Sequence, residues 1–201
     1  MICVGLSLRG CPVLVVGAGR AAQRKILEYL SEGAFVTVCA LRPAEGFTPP
    51  VGARLLWRVA PYEPYMVQGM MLVHAATNDA VLNEQIVKDA RRFGVLSASM
   101  TACDAASVRS MAACETPALC VAVSTKGASP ALAAKLARQT AQTLSAEWES
   151  RLVLLRSART CVKQNCPPGE LRTALLRSLD KAPEHCLLQM AQSGEENAQT
   201  C

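Results

Sequence analysis

The chain has 201 residues, 51% of them hydrophobic and 4% aromatic, and it carries a formal charge of +5. No uninterrupted apolar run reaches the roughly 18 residues of a membrane helix, and residues 1–9 lack the long apolar stretch of a secretory leader. A soluble, cytoplasmic protein is therefore expected, without a membrane partner; nucleic acid is also not expected, because the charge is spread out and aromatic platforms are scarce.

In chain order, Pro12-Val13-Leu14-Val15-Val16 is a continuous aliphatic run of the kind found in buried parallel strands, and it breaks into Gly17-Ala18-Gly19. Gly17 would allow a tight turn and Gly19 the close approach of a phosphate, while Ala22 occupies the position of the third glycine of the dinucleotide fingerprint, which also accepts alanine. Ala22, Ile26 and Leu30 recur at helical spacing up to a stop near Gly33, and Phe35–Cys39 is a second strand. This βαβ unit points to a nicotinamide or flavin dinucleotide on the helix N-terminus. The acidic residue that usually follows the second strand is missing; the chain runs Cys39-Ala40-Leu41-Arg42-Pro43. Arg42 either faces a 2′-phosphate or is solvated, which leaves the choice between NAD and NADP open.

Arg54–Trp57 predicts a third strand and Met70–Ala76 a fourth. Asn78 or Asp79 would cap a helix whose buried face carries Leu82, Ile86, Ala90 and Phe93 and which stops at Gly94. Val95-Leu96 opens a fifth strand. This alternation predicts a parallel sheet with helices on both faces. From Ser99 to Glu115 the chain is rich in small residues with no clear period; Ala118–Ser124 is then a strand, and Ser129-Pro130 starts a helix with serine as N-cap and proline at the first position. That helix aligns Ala133, Ala137, Ala141, Leu144 and Trp148. Two further helical stretches hold Leu152 and Leu155, then Leu171, Leu175 and Leu179, and the last eight or so residues are expected to fray.

The ten cysteines contain no C-x-x-C pair, and several lie in apolar runs, so reduced structural thiols are favoured over metal ligands. Cys161 and Cys166 form the closest pair. Of the two histidines, His74 lies at the end of a buried strand and is read as a satisfied core-edge residue rather than a ligand. No metal is expected.

The motifs Val-Val-Gly-Ala-Gly-Arg-Ala-Ala-Gln-Arg-Lys (15–25), Ala-Ala-Thr-Asn-Asp (75–79) with Asn83 following, and Val-Ala-Val-Ser-Thr-Lys-Gly-Ala-Ser-Pro-Ala-Leu-Ala (121–133) stand in this order. Together they resemble the precorrin-2 dehydrogenase and sirohydrochlorin ferrochelatase family of siroheme synthesis, over roughly residues 5–150. The resemblance implies an α/β chain in three parts: a Rossmann-like NAD-binding domain (1–100), a small strand-containing dimerisation segment (101–145) and a helical C-terminal domain (146–201). It implies NAD as cofactor, a homodimer, and a tetrapyrrole substrate lying between the cofactor and the dimerisation region. Carried over position by position, the cofactor contacts fall on Gly17, Gly19, Arg20, Ala21, Leu41, Arg42 and Thr77.

The chain departs from this family where the catalytic residue is expected. The usual aspartate position after the fifth strand holds Thr101, and Val108-Arg109-Ser110-Met111 replaces the Phe-x-x-Pro pattern. Asp104, three residues on, is the candidate catalytic carboxylate, with a solvated loop aspartate as the alternative. The carboxylates of a tetrapyrrole would be matched by Arg109 and Lys126, with Ser124, Thr125 and the helix N-terminus at Ser129 donating hydrogen bonds. Lys135 and Arg138 are read as a solvated helix face. Oxidation of precorrin-2 is expected, and the altered 101–111 segment argues against metal insertion; the alternative is a non-catalytic tetrapyrrole- or dinucleotide-binding module.

Overall fold

The computed structural model describes residues 2–44, 46–101, 103–143 and 146–198, and the side chains of these except 146, 147 and 193–198. The chain divides into two compact units, Met1–Ser110 and Met111–Cys201.

The first unit contains β1 (Pro12–Val16), α1 (Arg20–Ser31), β2 (Phe35–Ala40), β3 (Leu55–Val59), a 3-10 turn (Pro64–Val67), β4 (Leu72–Ala75), α2 (Ala80–Arg92) and β5 (Leu96–Ser99). The strands form one parallel sheet in the order β3-β2-β1-β4-β5. β1 is central, and Val13, Leu14, Val15 and Val16 are almost fully buried because both sheet faces are covered. Val13 and Val15 join Ala22, Ile26, Tyr29 and Leu30 of α1 on one face, with Val36, Val38 and Leu72. Leu14 and Val16 face the other way, with Ile86 and Ala90 of α2, Val73 and Ala75. Each such side chain contributes about 1.5–3 kcal/mol by leaving water, which is why the uninterrupted aliphatic run takes the central position.

Asp79 caps α2, accepting hydrogen bonds from the backbone N–H groups of Val81 and Leu82 at 2.9 and 3.1 Å. Of the two expected caps, this selects Asp79 over Asn78. The expected buried face of α2 needs one correction: Phe93 is its C-cap and remains exposed, whereas Asn83 and Val87 are buried beside Ile86 and Ala90. Phe93 falls where the helix is already turning out through Gly94, which has φ +69°.

The first unit runs ten residues beyond the expected boundary near 100. Val108 N–H donates to the Ser97 carbonyl at 2.8 Å, Ser97 N–H donates to Ser107 Oγ at 2.8 Å, and Val108 packs against the α1-side core. These ties bind the segment after β5 to the sheet.

In the second unit, β6 (Ala112–Glu115) and β7 (Cys120–Val123) form an antiparallel hairpin. Helix α3 (Pro130–Thr143) buries Ala133, Ala137 and Ala141 as its spacing predicts. Leu144, expected on the same stripe, lies outside the described residues; Trp148 belongs to the next helix and is exposed. That helix, α4 (Ala146–Asn165), is followed by α5 (Glu170–Ser178), a 3-10 turn (Leu179–Lys181) and α6 (Glu184–Ala198). Ala158, Val162, Leu179 and Leu187 form their core. Where fraying was expected, α6 continues to Ala198; residues 199–201 lie outside the described residues. Among the described residues no helix is long and apolar enough to cross a membrane.

Candidate functional site

The parallel sheet changes direction of growth at β1, whose neighbours are β2 on one side and β4 on the other. In open α/β sheets the crevice at such a switch point, beyond the carboxyl ends of the strands, is where ligands bind.

β1 ends there in two glycines with different physical roles. Gly17 has φ +116°, and a Cβ on it would lie 2.2 Å from the Ala76 carbonyl oxygen, so the protein itself demands glycine. Its N–H donates to the Cys39 carbonyl at 2.8 Å, and Ala76 N–H donates to the Val16 carbonyl at 2.8 Å. The glycine turn is thereby fixed between the ends of β2 and β4. Gly19 has an ordinary extended backbone (φ −66°, ψ 171°), and a Cβ there would meet nothing within 4 Å.

Gly19 is also the N-cap of α1, with no side chain to satisfy the first-turn N–H groups and no acidic residue in that turn. An uncapped helix N-terminus with open space before it fits a pyrophosphate, through its N–H donors and the positive end of the helix dipole. Ala22, fully buried, provides the close helix–sheet packing of the third fingerprint position.

Leu41 and Arg42 follow β2 directly and are both exposed. Thr77 follows β4, and here the structure adds a residue to which sequence reasoning gave no role. Asn83, fully buried, accepts hydrogen bonds at its Oδ1 from Thr77 N–H (3.1 Å) and Thr77 Oγ1 (2.7 Å), and its Nδ2 donates to the Thr77 carbonyl (3.0 Å). The same Nδ2 reaches Thr101 Oγ1 at 3.4 Å, and Thr101 is tied to Ser99 Oγ at 3.1 Å. One amide therefore clamps the ends of β4 and β5 together. Its signal was in the sequence: position 83 shares the helical stripe of Ile86 and Ala90, and a polar residue on an apolar stripe needs a buried partner.

All seven expected cofactor residues thus lie at the carboxyl edge of one sheet. Asp104 and Arg109 are brought together differently, as an exposed ion pair at 3.0 Å. Asp104, Thr101, Cys103, Ala105, Ala80, Val81 and Glu84 line an open concavity of about 480 Å³ where β5 ends and α2 begins.

In the second unit Ser124, Thr125, Lys126 and Ser129 share the turn between β7 and α3, but their hydroxyls already have partners. Ser129 Oγ accepts from Leu132 N–H at 3.2 Å as the N-cap, Thr125 Oγ1 accepts from Ser129 N–H at 3.0 Å, and Ser124 Oγ accepts from Lys126 N–H at 3.1 Å. Lys126 holds φ +54° and is exposed.

His74 is fully buried on β4. Its Nδ1 pairs with Tyr29 Oη at 2.6 Å, but among the described residues Nε2 has no partner, so the expected satisfied histidine is satisfied there at one nitrogen only. Burial, with a smaller contribution from Lys25, lowers its pKa to about 4. Burial first, then Glu28, raises that of Tyr29. The nine described cysteines are free thiols, and no cluster of three metal-ligating side chains occurs among the described residues.

This fold and edge define a dinucleotide-binding α/β protein. Residues 4–112 match the family model described as "Putative NAD(P)-binding", and the chain belongs to that family, with a nicotinamide dinucleotide as its cofactor. It is similar to the siroheme synthase of Methylococcus capsulatus, with 32% identity over 83% of this chain and 35% of the relative. Against the siroheme synthase of Chromobacterium violaceum, identity is 28% over 96% of this chain and 41% of the relative. The chain thus spans about a third to two fifths of these relatives' length. A solved structure, "SirC, precorrin-2 dehydrogenase", shares the fold with a TM-score of 0.72 and 22% identity, covering 98% of this chain and 100% of that one. Sequence and fold together relate the chain to the siroheme synthase and precorrin-2 dehydrogenase family.

Proposed function

We propose that the chain oxidises precorrin-2 to sirohydrochlorin with NAD. The observation that carries this reading is the preserved cofactor edge, Gly17, Gly19 and the Asn83-clamped Thr77, in a chain whose relatives bear siroheme synthase and precorrin-2 dehydrogenase names. The bound nicotinamide would supply a hydride acceptor. The protein's part is placement. The N–H groups of Arg20 and Ala21 would hold the pyrophosphate, and Leu41, Arg42 and Thr77 are the further residues that would hold the dinucleotide.

Asp104 is the carboxylate proposed to take the substrate proton, a role worth about 10²–10⁴-fold in rate for a well-placed base. It would have to exchange Arg109 for substrate, and Arg109 would then be free for a tetrapyrrole carboxylate. Lys126 serves the same purpose in the second unit. Ser124 and Ser129 use their oxygens only as acceptors in this turn and so keep an O–H to donate to a tetrapyrrole carboxylate, whereas Thr125 donates its own to the Ser129 carbonyl and shapes the turn. A homodimer paired through the segment 101–145 completes the reading.

Thr101 supports a second reading, a non-catalytic tetrapyrrole- or dinucleotide-binding module. Where a carboxylate is expected there is a hydroxyl bound into the Ser99–Asn83 network. Mass spectrometry of the products separates the two. Precorrin-2 incubated anaerobically with protein and NAD should emerge with two hydrogens fewer, and should stay metal-free when Fe²⁺ is added. Unchanged precorrin-2, beyond spontaneous oxidation, would favour the binding module.

A further inference from the structure

Three exposed arginines belong to the elements that end or begin near the carboxyl edge of β1, β2 and β3. Arg42 lies two residues past β2, Arg20 opens α1, and Arg58 pairs in register with Cys39 on β3. All three are exposed, and among the described residues none has an ion-pair partner. The bond from Gly17 N–H to the Cys39 carbonyl holds the end of β2 beside the glycine turn, and Ala60 N–H bonds the Ala40 carbonyl at 3.2 Å on the other side. Leu41-Arg42 therefore leaves the sheet next to the turn that faces the pyrophosphate.

In a dinucleotide site the residues just after the second strand face the adenosine ribose. An acidic side chain there binds the 2′-hydroxyl and repels a 2′-phosphate, whereas an arginine accommodates the phosphate. Here the sequence after β2 is Leu41-Arg42-Pro43-Ala44, without a carboxylate; the next one, Glu45, lies outside the described residues. Pro43 fixes its own φ and restricts Arg42 to extended backbone, which limits the directions its side chain can take.

We infer that Arg42 makes this chain accept the 2′-phosphorylated dinucleotide, so that NADP binds at least as tightly as NAD. The inference rests on the first unit being a nicotinamide-dinucleotide domain and adds the identity of the adenosine-side group it selects. Any of the three could offer a forked donor to a phosphate, but Arg42 is the one placed directly after β2, where the group on the adenosine ribose is read.

Calorimetric titration of the full chain with NAD and with NADP tests this without any turnover. The expected result is an NADP Kd equal to or below that of NAD, with the preference for NADP weakening as salt is raised. Arg42→Ala should lower the ratio of NADP to NAD affinity about tenfold, Arg42→Asp should lower it further, and Arg42→Lys should retain part of it. NADP binding tenfold or more weaker than NAD in the wild type, or a ratio that Arg42→Ala leaves within twofold, would overturn the role of Arg42 while leaving the dinucleotide domain standing. If neither dinucleotide binds, both fall.

Discussion

Replacing Gly17 with alanine puts a methyl group 2.2 Å from the Ala76 carbonyl oxygen, against a closest tolerable approach of 3.0 Å, so the β4–α2 connection has to move by 0.8 Å or more. It also holds alanine at φ +116°. A left-handed backbone costs an alanine about 1–2 kcal/mol and overpacking about 1–3 kcal/mol, for a total of about 2–5 kcal/mol. In a unit of this size that corresponds to a fall in melting temperature of about 10 °C or more. Gly19→Ala is the matched control. Its backbone suits any residue and its methyl group meets nothing. Losing glycine's entropy and its value as a cap offset one another to within about 1 kcal/mol. The methyl group does occupy the approach to the uncapped helix, so NAD affinity should fall about tenfold, or about 1.4 kcal/mol. Thermal melts of the two variants read the first effect and calorimetric titration with NAD reads the second. If Gly19→Ala is destabilised as much as Gly17→Ala, or binds NAD as the wild type does, the division of labour between the two glycines is wrong.

Asn83→Leu removes the clamp on Thr77 and strands its N–H and carbonyl, costing about 2–3 kcal/mol in urea unfolding and weakening NAD binding; a loss under about 0.5 kcal/mol would count against the clamp. His74 is neutral in the fold, with a pKa lowered to about 4, while the unfolded chain binds a proton below about pH 6.5. Its contribution is therefore fully present above pH 6.5 and is lost as pH falls towards 4, about 2 kcal/mol of it between pH 7 and pH 5. A His74→Leu variant should lose that part of the pH dependence, and a wild-type stability that stays flat over the range would contradict the burial argument. Asp104→Asn should leave the melting temperature within about a degree, because the Arg109 pair is exposed. If Asp104 is the base, the same variant should lower kcat about 10²-fold or more; an unchanged kcat would remove it from the mechanism.

The legible parts of the molecule were those in which one residue type has one physical use. The aliphatic run of β1, the glycine turn and the Ser129-Pro130 helix start all declare themselves in this way, and the structure places them as their chemistry requires. Strand β6 was not legible, because Ala112-Ala113-Cys114-Glu115 has neither β-branched residues nor alternation; pairing with β7 makes it a strand. The limit near residue 110 was missed for a similar reason: backbone and serine hydrogen bonds from Ser107 and Val108 to Ser97 leave no mark on hydropathy. At the site, the glycine turn was legible because glycine reports backbone geometry. Asp104 had no comparable signal, since a loop carboxylate looks the same whether it faces substrate or, as here, an exposed arginine.

The central claim is that this glycine turn holds a nicotinamide dinucleotide to which precorrin-2 delivers a hydride. It is tested most directly by following NADH formation anaerobically from freshly made precorrin-2 and NAD, with the wild type beside Gly19→Asp, whose carboxylate would repel the pyrophosphate. The account predicts NADH above the spontaneous rate with the wild type, and only the spontaneous rate with a Gly19→Asp protein that melts normally. Equal rates from both proteins, or no NADH above background from the wild type with either NAD or NADP, would contradict it.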